Sequence, residues 1–184
     1  MKVLVLDSRP VECAHAHCDS DILRCGPQLA EILATAARLN NRGTGGSTSS
    51  WVIKSAEVQW ATHPINWMWL YKLALEVAAE TRRRFGAESS VLSDLLHLPS
   101  ELRIASQYIK RDPLVWVFPD GMGSTKGTEE CVTAWREFYV RTRGPKARWT
   151  HRPVPVWFVD AVRAQPEGDL LESAGMQQSL GVAE

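Results

Sequence analysis

Apolar residues in this chain recur mainly three and four positions apart, the spacing of helices with one buried face, and only briefly alternate as in a strand. Val3, Leu4, Val5 and Leu6 open it as a short strand or a buried extended lead-in. Ser8 and Pro10 have the chemistry of an N-cap and a first-turn residue, so a helix is expected over 10–24. Gly26-Pro27 should stop it, and Pro27 should start a second helix to Leu39 with Leu29, Ile32, Leu33 and Ala36 on one face. The Gly- and Ser-rich stretch 40–50 reads as a mobile loop, and Trp51, Val52, Ile53 and Val58 as extended pieces. The longest helix is expected over 65–85, closed by Gly86, with shorter ones at 89–98 and 100–110.

Residues 112–127 read as a long irregular segment. Thr128–Arg143 should form an amphipathic helix with Val132, Trp135, Phe138 and Tyr139 inside. A basic, proline-punctuated stretch over 144–155 leads to a last helix at Val156–Ala164, and 165–184 reads as a disordered acidic tail. The pattern therefore predicts a mainly α, single compact helical domain over 1–164, with little sheet.

Composition changes this picture in two ways. At 45% apolar and 23% charged residues, with no apolar run near the roughly 18–20 residues that span a bilayer, the chain reads as soluble and globular. Met1-Lys2 leads straight into the apolar run, so no secretory leader is expected. Three of the four cysteines crowd between 13 and 25, which suits reduced thiols in a cytoplasmic setting. The balance of 21 basic and 21 acidic residues hides an asymmetry: 165–184 holds four acids and no Lys or Arg, so 1–164 carries 21 basic against 17 acidic residues. Six of those bases, Arg136, Arg141, Arg143, Lys146, Arg148 and Arg152, fall in 136–152 against one acid, Glu137. That clustering suits a polyanion, although a solvated helix face is the plainer explanation.

The densest chemistry lies in 13–25, where Cys13, His15, His17, Cys18, Asp19, Asp21 and Cys25 stand together. On one continuous helix, Cys13, His17 and Asp21 would stack at i, i+4. Such a set can hold zinc, yet no repeated CxxC supports it, and no metal or cofactor is assigned. His17 with Asp21 is the better acid–base pair, with Asp19 beside it and Asp7 placed to orient either. His63, Asn66 and Trp67 straddle an expected helix N-terminus, where free N–H groups attract anions. Trp149 lies among the arginines, as aromatics do on nucleic-acid surfaces, while Arg82, Arg83 and Arg84 read only as complements to a helix dipole.

Three segments, LVLD…P…HCD near the start, RRRFG, and RWTHRPVPVWF, carry a resemblance to a family of small phage proteins. That family opens on an apolar strand and Asp, continues HCDKH…E and ends near RPVPEWF; the likeness spans about 1–158. It is in turn distantly similar to phage endonuclease V, the pyrimidine-dimer DNA glycosylase. The resemblance implies an endonuclease V-like helical fold and action on a base in DNA, in the cytoplasm of an infected bacterium. Two departures point away from glycosylase chemistry. Lys2 follows Met1, so no processed N-terminal amine is expected, and Gln28 stands where the catalytic glutamate would align. The HCDKH pattern also becomes His17-Cys18-Asp19-Ser20-Asp21.

The implied reaction is transfer of a free amino acid onto an activated 5-substituted pyrimidine in double-stranded DNA. Asp19 would be the general base, with His17, Asp21 and Gln28 around it. Asp7, His63, Asn66 and Trp67 would hold the base. Arg136, Arg141, Arg143, Lys146, Arg148, Trp149 and Arg152 would contact DNA. A monomer is expected, without membrane attachment. The alternatives are a pyrimidine-specific glycosylase/AP lyase and a non-enzymatic protein that binds DNA or a host protein.

Overall fold

A computed structural model describes residues 3–40, 55–98, 116–117, 123–124 and 127–164. Their architecture is mainly helical: α1 Pro10–Ala16, α2 Asp19–Leu39, α3 Ala56–Ala61, α4 Pro64–Phe85, α5 Ser90–Leu96, α6 Thr128–Arg143 and α7 Val156–Ala164. One small antiparallel pair, β1 Trp116–Val117 with β2 Gly123–Ser124, joins Trp116 to Ser124 and Val117 to Gly123. The expected helix at 100–110, the loop beyond Asn40, Trp51 to Ile53, most of 112–127 and the acidic tail lie outside the described residues.

Helices α2 and α4 form the spine, with α1 packed on α4. Their facing stripes bury Ile22, Leu29, Ile32, Leu33 and Ala36 against Trp67, Leu70, Leu73, Ala74 and Val77. The long α4 ends where sequence chemistry asks it to: Gly86 takes φ 66, a left-handed conformation that costs glycine nothing. Residues 3–6 are the buried extended lead-in rather than part of a sheet. Side chains satisfy several carbonyls of this opening segment: Cys13 Sγ donates to Leu4 O at 3.4 Å, Arg136 Nε to Leu6 O at 2.9 Å, and Trp69 Nε1 to Ser8 O at 2.6 Å.

Three local expectations are corrected. Val58 lies in α3, whose first turn is capped by Ser55 Oγ accepting from Val58 N at 3.2 Å. The break expected at Gly26-Pro27 falls instead at His17 and Cys18, which are extended with ψ 136 and 167. Pro27 sits inside α2, where it withholds an N–H from the carbonyl of Leu23, a residue 57% exposed. The true break is made by distant groups. Tyr139 Oη accepts from Cys18 N at 2.7 Å, and Arg148 O accepts from Asp19 N at 2.8 Å. The helix start also shifts: Arg9, not Ser8, is the N-cap residue of α1, with Arg9 N donating to Asp7 Oδ1 at 3.0 Å. Among the described residues, no helix is long and apolar enough to cross a membrane.

Candidate functional site

The C-terminal turns of α4 carry two ionisable residues on a face that is otherwise core. Leu73 and Val77 are followed at helical spacing by Glu80 and Arg84, all four buried. Arg84 has a fully buried side chain and donates Nε to Glu80 Oε2 at 2.9 Å. Its other donors reach His17 O at 2.8 Å, His15 O at 3.2 Å and Asp19 Oδ1 at 3.2 Å. One guanidinium thus stitches the α1–α2 break onto α4.

Glu80 is shared. Arg152 grips it with two donors, Nε to Oε2 at 3.0 Å and Nη2 to Oε1 at 2.6 Å. The same Nη2 lies 2.9 Å from His15 Nε2. A guanidinium can only donate, so Nε2 is the acceptor and the His15 proton sits on Nδ1. Burial alone would raise the Glu80 pKa, but the hydrogen bonds from Arg152 and then Arg84 hold it below the usual range.

Asp19, in the first turn of α2, pins the turn that carries Arg152. Its carboxylate accepts from Thr150 N at 3.0 Å on both oxygens and from Thr150 Oγ1 at 2.7 Å, besides Arg84. Trp149 Nε1 donates to Ala16 O at 3.1 Å, and its ring packs on Phe158 at 4.8 Å between centroids. The turn is therefore anchored at four of its five residues from 148 to 152: Arg148 through its carbonyl, then Trp149, Thr150 and Arg152 through their side chains. The residue between the last two anchors, His151, takes φ 56 and is exposed.

A second acid lies beside the first cluster. Arg143 clamps Asp21 with Nε to Oδ2 at 2.8 Å and Nη2 to Oδ1 at 2.7 Å, and Arg24 Nη2 reaches Oδ1 at 2.8 Å. Burial would raise the Asp21 pKa, yet Arg143, Tyr139 and Arg24 outweigh it and hold the carboxyl well below its ordinary value. His17 is the opposite case. Burial is the largest influence and lowers its pKa, against a 2.7 Å contact from Nδ1 to Cys13 O. That carbonyl can only accept, so Nδ1 carries a proton, and burial favours the neutral ring. Its ring lines a small void with Cys25, Gln28, Leu29 and Val77, with room for about one water molecule.

The structure thus sets Asp19 and Asp21 in the first turn of α2 with His17 just before it. Gln28 lies nine positions further along the helix than Asp19 and shares only the small void with His17; the residues expected to complete the site lie elsewhere. His63, Asn66 and Trp67 stand at the other end of α4; Asn66 and Arg84 are 18 positions apart, about 27 Å along a helix. Asn66 Nδ2 donates to Trp60 O at 2.9 Å, while Asn66 Oδ1 and Trp67 Nε1 are buried without a hydrogen-bond partner among the described residues. Asp7 belongs to a third place, where Arg136 Nη2 meets Asp7 Oδ2 at 3.4 Å and lies over Trp157 at 5.0 Å.

The basic surface is also corrected. Trp149 is buried and cannot offer a face to a base. Arg136, Arg143 and Arg152 are committed to Asp7, Asp21 and Glu80, so half of the six bases counted in 136–152 neutralise internal acids. Arg141, Lys146 and Arg148 remain exposed. The Cys13, His17 and Asp21 stack is broken by the chain turn at His17. Cys13 points to Leu4 O and is pushed up to about 12 by burial, while Asp21 faces guanidiniums. Among the described residues, no three His, Cys, Asp or Glu groups are arranged to hold a metal ion.

Sequence reasoning missed Glu80, Arg84, Thr150 and His151. For the first two a signal existed: they extend the apolar stripe Leu73–Val77 at i+3 and i+4, so their burial follows from the same periodicity that located the helix. Compared with known protein families, curated proteins and solved structures, the chain matches none.

Proposed function

We propose that this protein acts on a pyrimidine base in DNA, by group transfer, at the arginine-rich end of its helical spine. One observation carries the reading: three segments far apart in sequence, around His15–Asp21, Glu80–Arg84 and Arg148–Arg152, converge on a single ion-pair cluster. They are also the segments behind the resemblance to phage proteins of the endonuclease V type. Buried ion pairs contribute little net stability compared with apolar packing, so a cluster of this size favours a role in binding or chemistry.

In this reading an activated 5-substituted pyrimidine meets a free amino acid. The amine nitrogen bonds to the 5-methylene carbon, the C–O bond to the leaving pyrophosphate breaks, and Asp19 takes the amine proton. Asp19 already holds Thr150 Oγ1, so DNA entering over this turn displaces that hydroxyl and opens Oδ2 to the amine, while Thr150 N and Arg84 keep the carboxylate in place. Exposed Arg148, Arg141 and Lys146 supply the phosphate contacts. The setting is the cytoplasm of a phage-infected bacterium, with the protein acting as a monomer on double-stranded DNA.

Duplex affinity measured across a salt series tests the DNA step. Binding should weaken linearly on a log–log plot, and Arg148→Ala should lower the slope by about one phosphate contact. Absent or salt-insensitive binding would remove the DNA reading and leave a protein-binding module.

A further inference from the structure

We infer that His151 is the side chain this turn presents to the DNA backbone, its ring N–H donating to a phosphate oxygen beside Arg148; the inference rests on the proposed action on DNA. His151 is the one non-glycine residue with positive φ among the described residues, at 56°. Histidine enters this region more readily than most residues, yet glycine would occupy it without strain. No hydrogen bond or ring contact within the described protein holds the His151 ring, which stands exposed. The backbone around it is held from both sides. Asp19 N donates to Arg148 O at 2.8 Å, and the Asp19 carboxylate accepts from Thr150 N at 3.0 Å. Arg152 is locked to Glu80, and Arg152 N closes the turn on Trp149 O at 3.3 Å. A strained conformation persists where the surroundings over-determine it, and such positions concentrate at ligand-contacting sites. Here four anchors aim an unengaged imidazole into solvent, three residues from an exposed arginine.

The test separates what the ring does from what the backbone needs. His151→Gly keeps the left-handed turn and removes only the ring; His151→Asn keeps a short polar side chain suited to the same φ. Thermal melting and fluorescence anisotropy with an ordinary short duplex are measured for both. His151→Gly should melt at or above the wild-type temperature and bind DNA roughly tenfold more weakly, the loss of one hydrogen bond. His151→Asn should bind with intermediate affinity. Wild-type affinity in His151→Gly would overturn the inference while leaving the functional reading intact. A lower melting temperature in that variant also counts against it, since the ring would then be serving the fold. Failure of the wild-type protein to bind DNA would overturn both.

Discussion

Arg84→Met should cost the fold about 3–5 kcal/mol, the usual penalty for removing one partner of a buried ion pair. The side chain is fully buried and serves four acceptors at once: the carboxylates of Glu80 and Asp19 and the carbonyls of His15 and His17. Methionine fills similar space but donates nothing, so all four lose a donor inside the protein. For a chain of this length the loss corresponds to a melting temperature lower by roughly 6–20 °C. Arg82 stands two residues earlier with a side chain 75% exposed, and Arg82→Met should change stability by less than about 0.5 kcal/mol. Equilibrium urea unfolding of the two variants measures the contrast. Equal, small losses would mean that the Arg84 cluster does not hold α1, α2 and α4 together.

Acid should unfold the protein in two stages, and the sign follows from three lowered pKa values. His17 has an ordinary value of 6.5 and is held lower in the folded state, so below that pH the unfolded chain takes a proton that the native protein refuses. Stability therefore begins to fall as pH drops through 6.5. Asp21 and Glu80 have ordinary values of 3.8 and 4.5 and are also held lower by their arginines. Their contribution is present above those values and is lost as pH falls toward the native ones. Urea midpoints between pH 8 and 3 should show an upper decline and a steeper lower one. His17→Asn keeps a donor for the Cys13 carbonyl and removes the titrating ring, so the upper decline should vanish and the lower one remain. An upper decline that survives this substitution would contradict the assignment of His17 as the buried neutral imidazole.

Elements whose ends depend on local chemistry were legible in the chain. Thr128–Arg143 and Val156–Ala164 follow their apolar spacing, and α4 closes on Gly86 because only a residue at ease with positive φ ends a helix that way. The break at His17 and Cys18 was not legible. Its cause is a tyrosine hydroxyl 121 residues away and a carbonyl at Arg148, and no local pattern encodes a partner so distant. Gly26-Pro27 was a real local signal overruled by context, since α2 runs through it at an exposed stretch of the helix.

The candidate site shows the same division. The crowd of Asp, His and Cys at 13–25 does lie at a charged junction, but its partners came from elsewhere. Glu80 was hidden within the longest expected helix, and Arg84 in a run of three arginines read only as complements to the helix dipole. A count of charges could not tell Arg148, which faces solvent, from Arg143 and Arg152, which are tied to acids. His63, Asn66 and Trp67 joined the expected site because a sequence carries no distance. The 22-residue length of α4 separates them from Asp19.

The most direct test is mass spectrometry of nucleosides from duplex DNA bearing a pyrophosphate-activated 5-hydroxymethyl pyrimidine, incubated with the protein and free amino acids. A new nucleoside, heavier by the attached amino acid and absent with Asp19→Asn, is the predicted result. Released free base or strand breaks would instead establish a glycosylase, and unchanged nucleosides throughout would contradict any action on the base.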